Sequence, residues 1–211
     1  MAAADPLTPV LGLSEPAIAR AAALLRAGEL VAFPTDTVYG VGAIAWDEAA
    51  VGRLYVAKIR ESRKAIPILL ADPADLLLVA ADLPPAALRV AERFWPGPLT
   101  LVVPRSRRVP DIVTAGGDTV AVRVPDHAAA RALIRGAGAP LATTSANLSG
   151  AASPVTAAQV AAQLAGRIGL ILDGGPCPAG VPSTILDLTG AAPTILRGGP
   201  LTLADIEAAM L

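Results

Sequence analysis

Thr119-Val120-Ala121-Val122-Arg123-Val124, continued by PDHAAARALIRGAGAPLATT over residues 125–144, lays a strand, a helix and a second strand end to end. The valines alternate with Thr119, Ala121 and Arg123, the period of two that sends successive side chains to opposite faces of a sheet. Pro125 and Asp126 break the extended run. His127 reads as a helix start, with the helix running to about Arg135. Residues 140–143 are short and apolar, as in a buried strand.

The same interleaving extends outward in both directions. Ser14, Glu15 and Pro16 supply a cap, an acid in the first turn and an early proline, so a helix is expected from there to Leu25, closed by Gly28. Strands are expected over 30–33, 66–70, 99–103, 169–172, 184–188 and 194–197. Further helices are expected from near Asp47, with Val51, Leu54 and Tyr55 on one face, and over 73–79, 84–94, 156–164 and 202–210. Residues 1–13 read as a lead-in, leaving 14–211 as one domain. Strict strand–helix–strand regularity is missing, so the fold class is α/β with a twisted, mixed sheet flanked by helices.

Bulk properties narrow the chemistry. The chain has 211 residues, 54% of them apolar but only 3% aromatic, so its core must be built from Ala, Val, Leu and Ile. Gly 19 and Pro 20 imply many turns. A net charge of -1 argues against a nucleic-acid coat, though not against a local basic cleft. Cys177 is the single cysteine and His127 the single histidine. No thiolate zinc cluster or intrachain disulfide is therefore expected, no protein metal site is called for, and a reducing, cytoplasmic setting is the natural reading. No window reaches the ~18 uninterrupted apolar residues of a membrane span, and the N-terminus lacks the pattern of a secretory signal.

Polar chemistry gathers in four segments. Residues 33–40 read FPTDTVYG; if extended, Thr35, Thr37 and Tyr39 line one face as a hydroxyl wall, or form an ordinary solvated strand face. Lys58, Arg60, Arg63 and Lys64 follow a helix C-terminus, where cations complement the dipole or clamp a triphosphate. Thr143-Thr144-Ser145-Ala146-Asn147 leaves a buried strand for a loop, which suits either close backbone approach to a phosphate or a simple Ser or Asx turn. Ser183-Thr184 and Arg197-Gly198-Gly199 complete the set. Cys177 reads as an incidental thiol, and Phe94 and Trp95 as packing residues. Hydroxyls, an amide and fixed cations suit nucleotide chemistry done by positioning and charge neutralisation.

Seven pieces in order resemble the YrdC-like family, the threonylcarbamoyl-AMP synthases: FPTDTVYG at 33–40, Lys58-x-Arg60, WPGPLT at 95–100, VAVRVP at 120–125, TSANLSG at 144–150, STILDL at 183–188 and ILRGG at 195–199. The resemblance implies a YrdC-like (DHBP-synthase-like) fold with a concave basic cleft. It implies an enzyme joining L-threonine, bicarbonate and ATP into threonylcarbamoyl-adenylate with release of pyrophosphate. The product would feed tRNA modification beside the anticodon through downstream transfer proteins, with no membrane partner. By the same resemblance Lys58 and Arg60 are catalytic. Arg60, Lys64, Thr119, Ser145, Asn147, Ser153 and Arg197 contact ATP, and Thr37, Arg123, Thr143 and Ser183 contact L-threonine. Magnesium rides on the phosphates. The chain departs from the pattern at Ile59 and Glu61, where the family carries small or polar residues and proline, and at Leu69, where some members carry histidine. Glu61 either weakens ATP binding or points outward. The resemblance places this chain with the short, single-domain type. Two alternatives stand beside it: a diverged paralogue using another carbamoyl or nucleotide substrate, and an RNA-binding module. The loops 173–182 and 104–117 are the candidates to close over a site.

Overall fold

Helix starts follow the capping residues in the sequence. The Ser14 hydroxyl accepts from the Ala17 N–H, the Asp47 carboxylate from the Ala50 N–H, and Thr202 and Asp205 form a reciprocal box. His127 caps through its ring: Nδ1 accepts from the Ala130 N–H, and burial, which lowers its pKa, favours the neutral form that can accept. The computed structural model describes residues 8–190 and 192–209. In chain order the elements are β1 (Val10–Gly12), α1 (Glu15–Arg26), β2 (Val31–Phe33), β3 (Gly40–Ile44), α2 (Glu48–Lys58), β4 (Ile68–Leu69), a 3-10 turn (Pro73–Asp75), α3 (Leu76–Val79), α4 (Pro85–Phe94), β5 (Leu99–Pro104), α5 (Asp111–Thr114), β6 (Thr119–Arg123), α6 (Ala128–Ala137), β7 (Leu141–Ser145), α7 (Ala157–Leu164), β8 (Leu170–Asp173), β9 (Thr184–Asp187), β10 (Thr194–Arg197) and α8 (Leu203–Glu207).

Among the described residues ten strands form one sheet in the order β1-β8-β2-β3-β7-β4-β6-β5-β9-β10. Parallel and antiparallel pairs are mixed, as expected: β4–β6 and β5–β9 are parallel, while β3–β7, β6–β5 and β9–β10 are antiparallel. The alternation read from β6 sorts its two faces. Val120, Val122 and Val124 join a core that also takes Val51 and Leu54 of α2, Val90 of α4 and Val160 of α7. On the opposite face α1 and α6 cover Val31, Phe33, Leu69, Leu141 and Leu170. Those two helices cover only part of that face. Arg123 of β6, Thr100 of β5 and Ile185 of β9 lie where they stop, and there the sheet opens into a cleft.

Several expectations need correcting. Within the lead-in over 1–13, Val10–Gly12 forms β1, parallel to β8; residues 1–7 lie outside the described residues, as does the Met210 end of the closing helix. The hydroxyl wall over 34–40 is absent as an extended face: a turn occupies it, and β3 begins only at Gly40. β3 and α5 went unanticipated because Gly40-Val41-Gly42-Ala43 is too small to read as a strand and α5 has only four residues. The strand at 66–70 shortens to Ile68–Leu69.

Candidate active site

A turn after β2 builds one wall of the cleft. The Thr35 hydroxyl accepts from the Thr37 and Val38 N–H groups and donates to the Val38 carbonyl at 2.7 Å. That closes a hydroxyl turn of the kind short polar side chains favour. Its consequence is to aim Asp36 and Thr37 at Arg123. Arg123 is 5% exposed, and its guanidinium is held on three sides. Nε donates to the Gly97 carbonyl (2.9 Å), Nη1 to the Thr37 hydroxyl (2.8 Å) and Nη2 to the Asp36 carboxylate (2.5 Å). Burial acts to lower its pKa and Asp36 acts to raise it. Of the five guanidinium N–H groups, three are committed, so each terminal nitrogen keeps one for a ligand.

Two more arginines line the cleft. Arg197 of β10 forks onto the Ser183 carbonyl (Nε 3.0 Å, Nη2 2.8 Å), and Nη2 also donates to the Ser183 hydroxyl at 3.0 Å. Ser183 Oγ lies 2.8 Å from Thr100 Oγ1. Arg60 donates from Nε to the Lys64 carbonyl (3.3 Å) and from Nη2 to the Ala65 carbonyl (2.9 Å), fixing the loop after α2. Thr143, Thr144 and Ser145, at the end of β7, also line the cleft.

Thr143 fits because β3 is glycine-rich opposite it. A Cβ on Gly40 would stand 2.8 Å from Thr143 Cγ2, and one on Gly42 would stand 2.8 Å from Thr143 Oγ1. Gly42→Ala therefore has to move Thr143, at a cost of roughly 1–3 kcal/mol. The expected outcome is a lower denaturation midpoint; an unchanged midpoint would show that Thr143 has slack.

Seven of the residues singled out from sequence line the cleft together: Thr37, Arg60, Arg123, Thr143, Ser145, Ser183 and Arg197. Five do not. Lys58 is 2% exposed and lies beneath Ser145 and Asn147, with Nζ donating to both carbonyls. Asn147 is buried; its amide nitrogen donates to the Leu148 and Ala151 carbonyls at 2.8 Å, and its Oδ1 has no partner among the described residues. Lys64 is exposed and 3.5 Å from Glu61. Thr119 and Ser153 are half-buried outside the lining. Tyr39 contributes no hydroxyl to a wall: it is fully buried, and its O–H donates to the Gly175 carbonyl, burial pushing its pKa up to about 12.

Thr35, expected in a hydroxyl wall, lines the cleft from a turn instead. Sequence reasoning passed over Asp36 and Thr100; both lie within quoted motifs, and the signal for Asp36 was a lone acid among hydroxyls. The loop 173–182 is tied to the site by the Ala179 N–H to Asp36 carbonyl bond, and Pro182 lines the cleft. The loop 104–117 borders a different groove, with Arg105 paired to Asp111 at 2.6 Å. The cavity measures about 240 Å³, below the ~300–1,000 Å³ of drug-sized ligand clefts. Its deep part suits a small polar molecule, and a nucleotide would extend past the rim.

The family model described as telomere recombination, covering Sua5, YciO and YrdC, matches residues 23–199. The chain belongs to the Sua5/YciO/YrdC family. Threonylcarbamoyl-AMP synthase of Pyrococcus abyssi (strain GE5 / Orsay) is 49% identical over 187 residues, which is 89% of this chain and 55% of that protein. Its Bacillus subtilis (strain 168) namesake is 48% identical over 203 residues, 96% of this chain and 59% of that protein. The chain thus spans a little over half the length of these two relatives. The crystal structure of P. abyssi Sua5 complexed with L-threonine matches with a TM-score of 0.93 at 46% identity, over 96% of this chain and 61% of that one.

Of the three departures from the family pattern in this Sua5/YciO/YrdC domain, Leu69 lines the cleft and the other two have separate physical outcomes. Glu61 is turned away from the cleft: it pairs with Arg63 at 2.6 Å and Lys64 at 3.5 Å, and Arg63 holds its carboxyl below the usual range. Ile59 caps α2 in the left-handed region, at φ 52, and is 66% exposed. A β-branched residue is strained there. Ile59→Gly should stabilise the fold by about 0.5–1 kcal/mol, the relieved strain exceeding the added chain entropy; a lower midpoint in thermal denaturation would contradict this.

Proposed function

We propose that this domain forms threonylcarbamoyl-adenylate and pyrophosphate from L-threonine, bicarbonate and ATP. The observation that carries the reading is one hydroxyl-lined cleft holding Arg123, Arg60 and Arg197, in a fold matching that of a relative complexed with L-threonine. The two uncommitted N–H groups of Arg123 suit the threonine carboxylate, with the Thr37, Thr143 and Ser183 side chains at its sides. The amine adds to bicarbonate, forming a C–N bond and losing water. A carbamate oxygen then attacks the α-phosphorus, and pyrophosphate leaves. Two anions must meet in that step, so fixed positive charge is the main requirement, and Arg60 and Arg197 supply it without reorganising.

In the same reading Ser145 meets the phosphates, Lys64, Thr119 and Ser153 serve the parts of ATP beyond the cleft, and the buried Asn147 shapes the loop behind Ser145 through the Leu148 and Ala151 carbonyls. Lys58 acts from below, by holding the Ser145 and Asn147 backbone. Among the described residues no cluster of three His, Cys, Asp or Glu side chains could cage a metal. Magnesium fits as an ion carried on phosphate oxygens and water, where it would neutralise charge on the leaving group. No helix of the described residues is long and apolar enough to cross a membrane. A cytoplasmic role in tRNA threonylcarbamoyladenosine formation, with downstream transfer proteins as partners, completes the proposal.

The deciding experiment is pyrophosphate release from ATP with magnesium and bicarbonate, comparing L-threonine, L-serine and no amino acid. Threonine should exceed serine by roughly 10-fold or more, the usual reach of one methyl group. ATP binding without threonine-dependent release would shift the reading to a diverged paralogue. RNA binding that falls steeply with salt and consumes no ATP would mark a binding module.

A further inference from the structure

Leu69, Arg123, Thr100, Ile185 and Arg197 stand in one row across five neighbouring strands. Leu69 pairs with Arg123, Thr100 with Ile185, and Ile185 with Arg197. Thr100 and Arg123 each lie one residue beyond the paired Leu101 and Val122. Paired residues share a face, and all five line the cleft. At about 4.8 Å per strand the backbones that carry the two arginines are roughly 14 Å apart, and the Arg197 charge is still felt at Arg123. Thr100 and Ile185 fill the interval. Thr100 is the polar one of the two, and it is 2% exposed.

The hydrogen bonds allow this hydroxyl to serve as a donor toward the cleft. Arg197 Nη2 can only donate, so Ser183 Oγ accepts from it. Ser183 Oγ lies 2.8 Å from Thr100 Oγ1, and in one of the two arrangements open to the pair Ser183 donates to Thr100. With Thr100 Oγ1 accepting, its own proton has no acceptor among the described residues. In that arrangement the chain Arg197→Ser183→Thr100 ends in a donor, polarised by a cation, on the strand beside Arg123 and two strands from Arg197.

We propose that Thr100 binds the bicarbonate-derived group: it donates to an oxygen of bicarbonate and then of the carbamate. The inference rests on the synthase reading and adds the position of the third substrate. Threonine anchored on Arg123 presents its amine toward Thr100, and a phosphate anchored near Arg197 presents its α-phosphorus from the other side. The reacting carbon has to sit between them, at the donor. The nitrogen–carbon bond forms there as water departs with the bicarbonate oxygen. The carbamate oxygen then bonds to the α-phosphorus as the pyrophosphate oxygen leaves.

The test is pyrophosphate release in degassed buffer, with bicarbonate varied at saturating L-threonine and ATP. Thr100→Val keeps the shape and removes the hydroxyl. Its KM for bicarbonate should rise roughly 10-fold or more, the effect of losing one hydrogen bond to an anion, with the KM values for L-threonine and ATP within about twofold. Thr100→Ser should restore the bicarbonate KM, and Thr100→Cys, a weak donor that tolerates burial, should fall between. The Ser and Cys variants carry the test if the valine variant does not fold. An unchanged bicarbonate KM, or equal rises for all three substrates, overturns the assignment while leaving the synthase reading standing. A wild-type protein with no threonine-dependent release overturns both.

Discussion

Under the proposed synthase activity, Arg123→Ala should lower kcat/KM for L-threonine by roughly 10²–10³-fold, in line with removing one partner of a buried, hydrogen-bonded charge pair. The loss should fall mainly on threonine, because Arg123 is held against Thr37 and Asp36, with its two uncommitted N–H groups assigned to the threonine carboxylate. ATP binding, measured by calorimetry, should change by less than about threefold, a difference under 1 kcal/mol. The same substitution strands Asp36, whose side chain is only 13% exposed. A carboxylate left unpaired at such a site costs about 3–5 kcal/mol of stability. Arg123→Lys should rescue little, since a point charge cannot meet Gly97, Thr37 and Asp36 at once. Asp36→Ala, added to Arg123→Ala, should recover much of the stability but none of the threonine affinity. A folded Arg123→Ala protein with a wild-type threonine KM would refute the placement of the carboxylate.

Lys58→Met should lower stability by about 1–3 kcal/mol at neutral pH through lost donors to the Ser145 and Asn147 carbonyls. It should also lower kcat by about 10-fold or more, because a 1 Å misplacement of positioning groups is costly. The pH dependence carries a distinct signature. Burial, and secondarily the Arg60 charge, pulls the Lys58 pKa from 10.5 to about 8. A lowered lysine pKa means the unfolded chain binds more protons than the folded one between about 8 and 10.5. Wild-type stability relative to Lys58→Met should therefore rise across that window, by up to roughly 3 kcal/mol. Taking the difference cancels the titration of Tyr39, whose raised pKa acts in both proteins. A flat difference between pH 8 and 10.5 would mean that Lys58 keeps an ordinary pKa and is better solvated than its 2% exposure implies.

Much of the fold was written locally. Val120, Val122 and Val124 announce which face of β6 meets the core, because a period of two is a property of neighbours in the chain. Caps at Ser14, Asp47 and Thr202 are local too, since the side chain serves backbone groups within three residues. The glycine-rich β3, held between β2 and β7, escaped because its side chains are too small to mark a strand, and the short strand β1 because its stability comes from a distant partner, β8. Tyr39 was misassigned to a hydroxyl wall for the same reason: its partner Gly175 is 136 residues away.

The candidate site divides along the same line. The chain itself determined an α/β mixed sheet, an aliphatic core and the segments that carry the arginines and hydroxyls. It also determined the family, through the order of seven short motifs. Tertiary structure decided the rest, because strand order is set by which apolar faces can be buried together, and no local pattern encodes that. It put β6, β5, β9 and β10 side by side beyond the reach of α1 and α6, which left a cleft where a sheet face would otherwise be covered. It sank Lys58 under the floor, turned Glu61 outward, bound Arg123 to Asp36, and brought Thr100 within 2.8 Å of a serine 83 residues away.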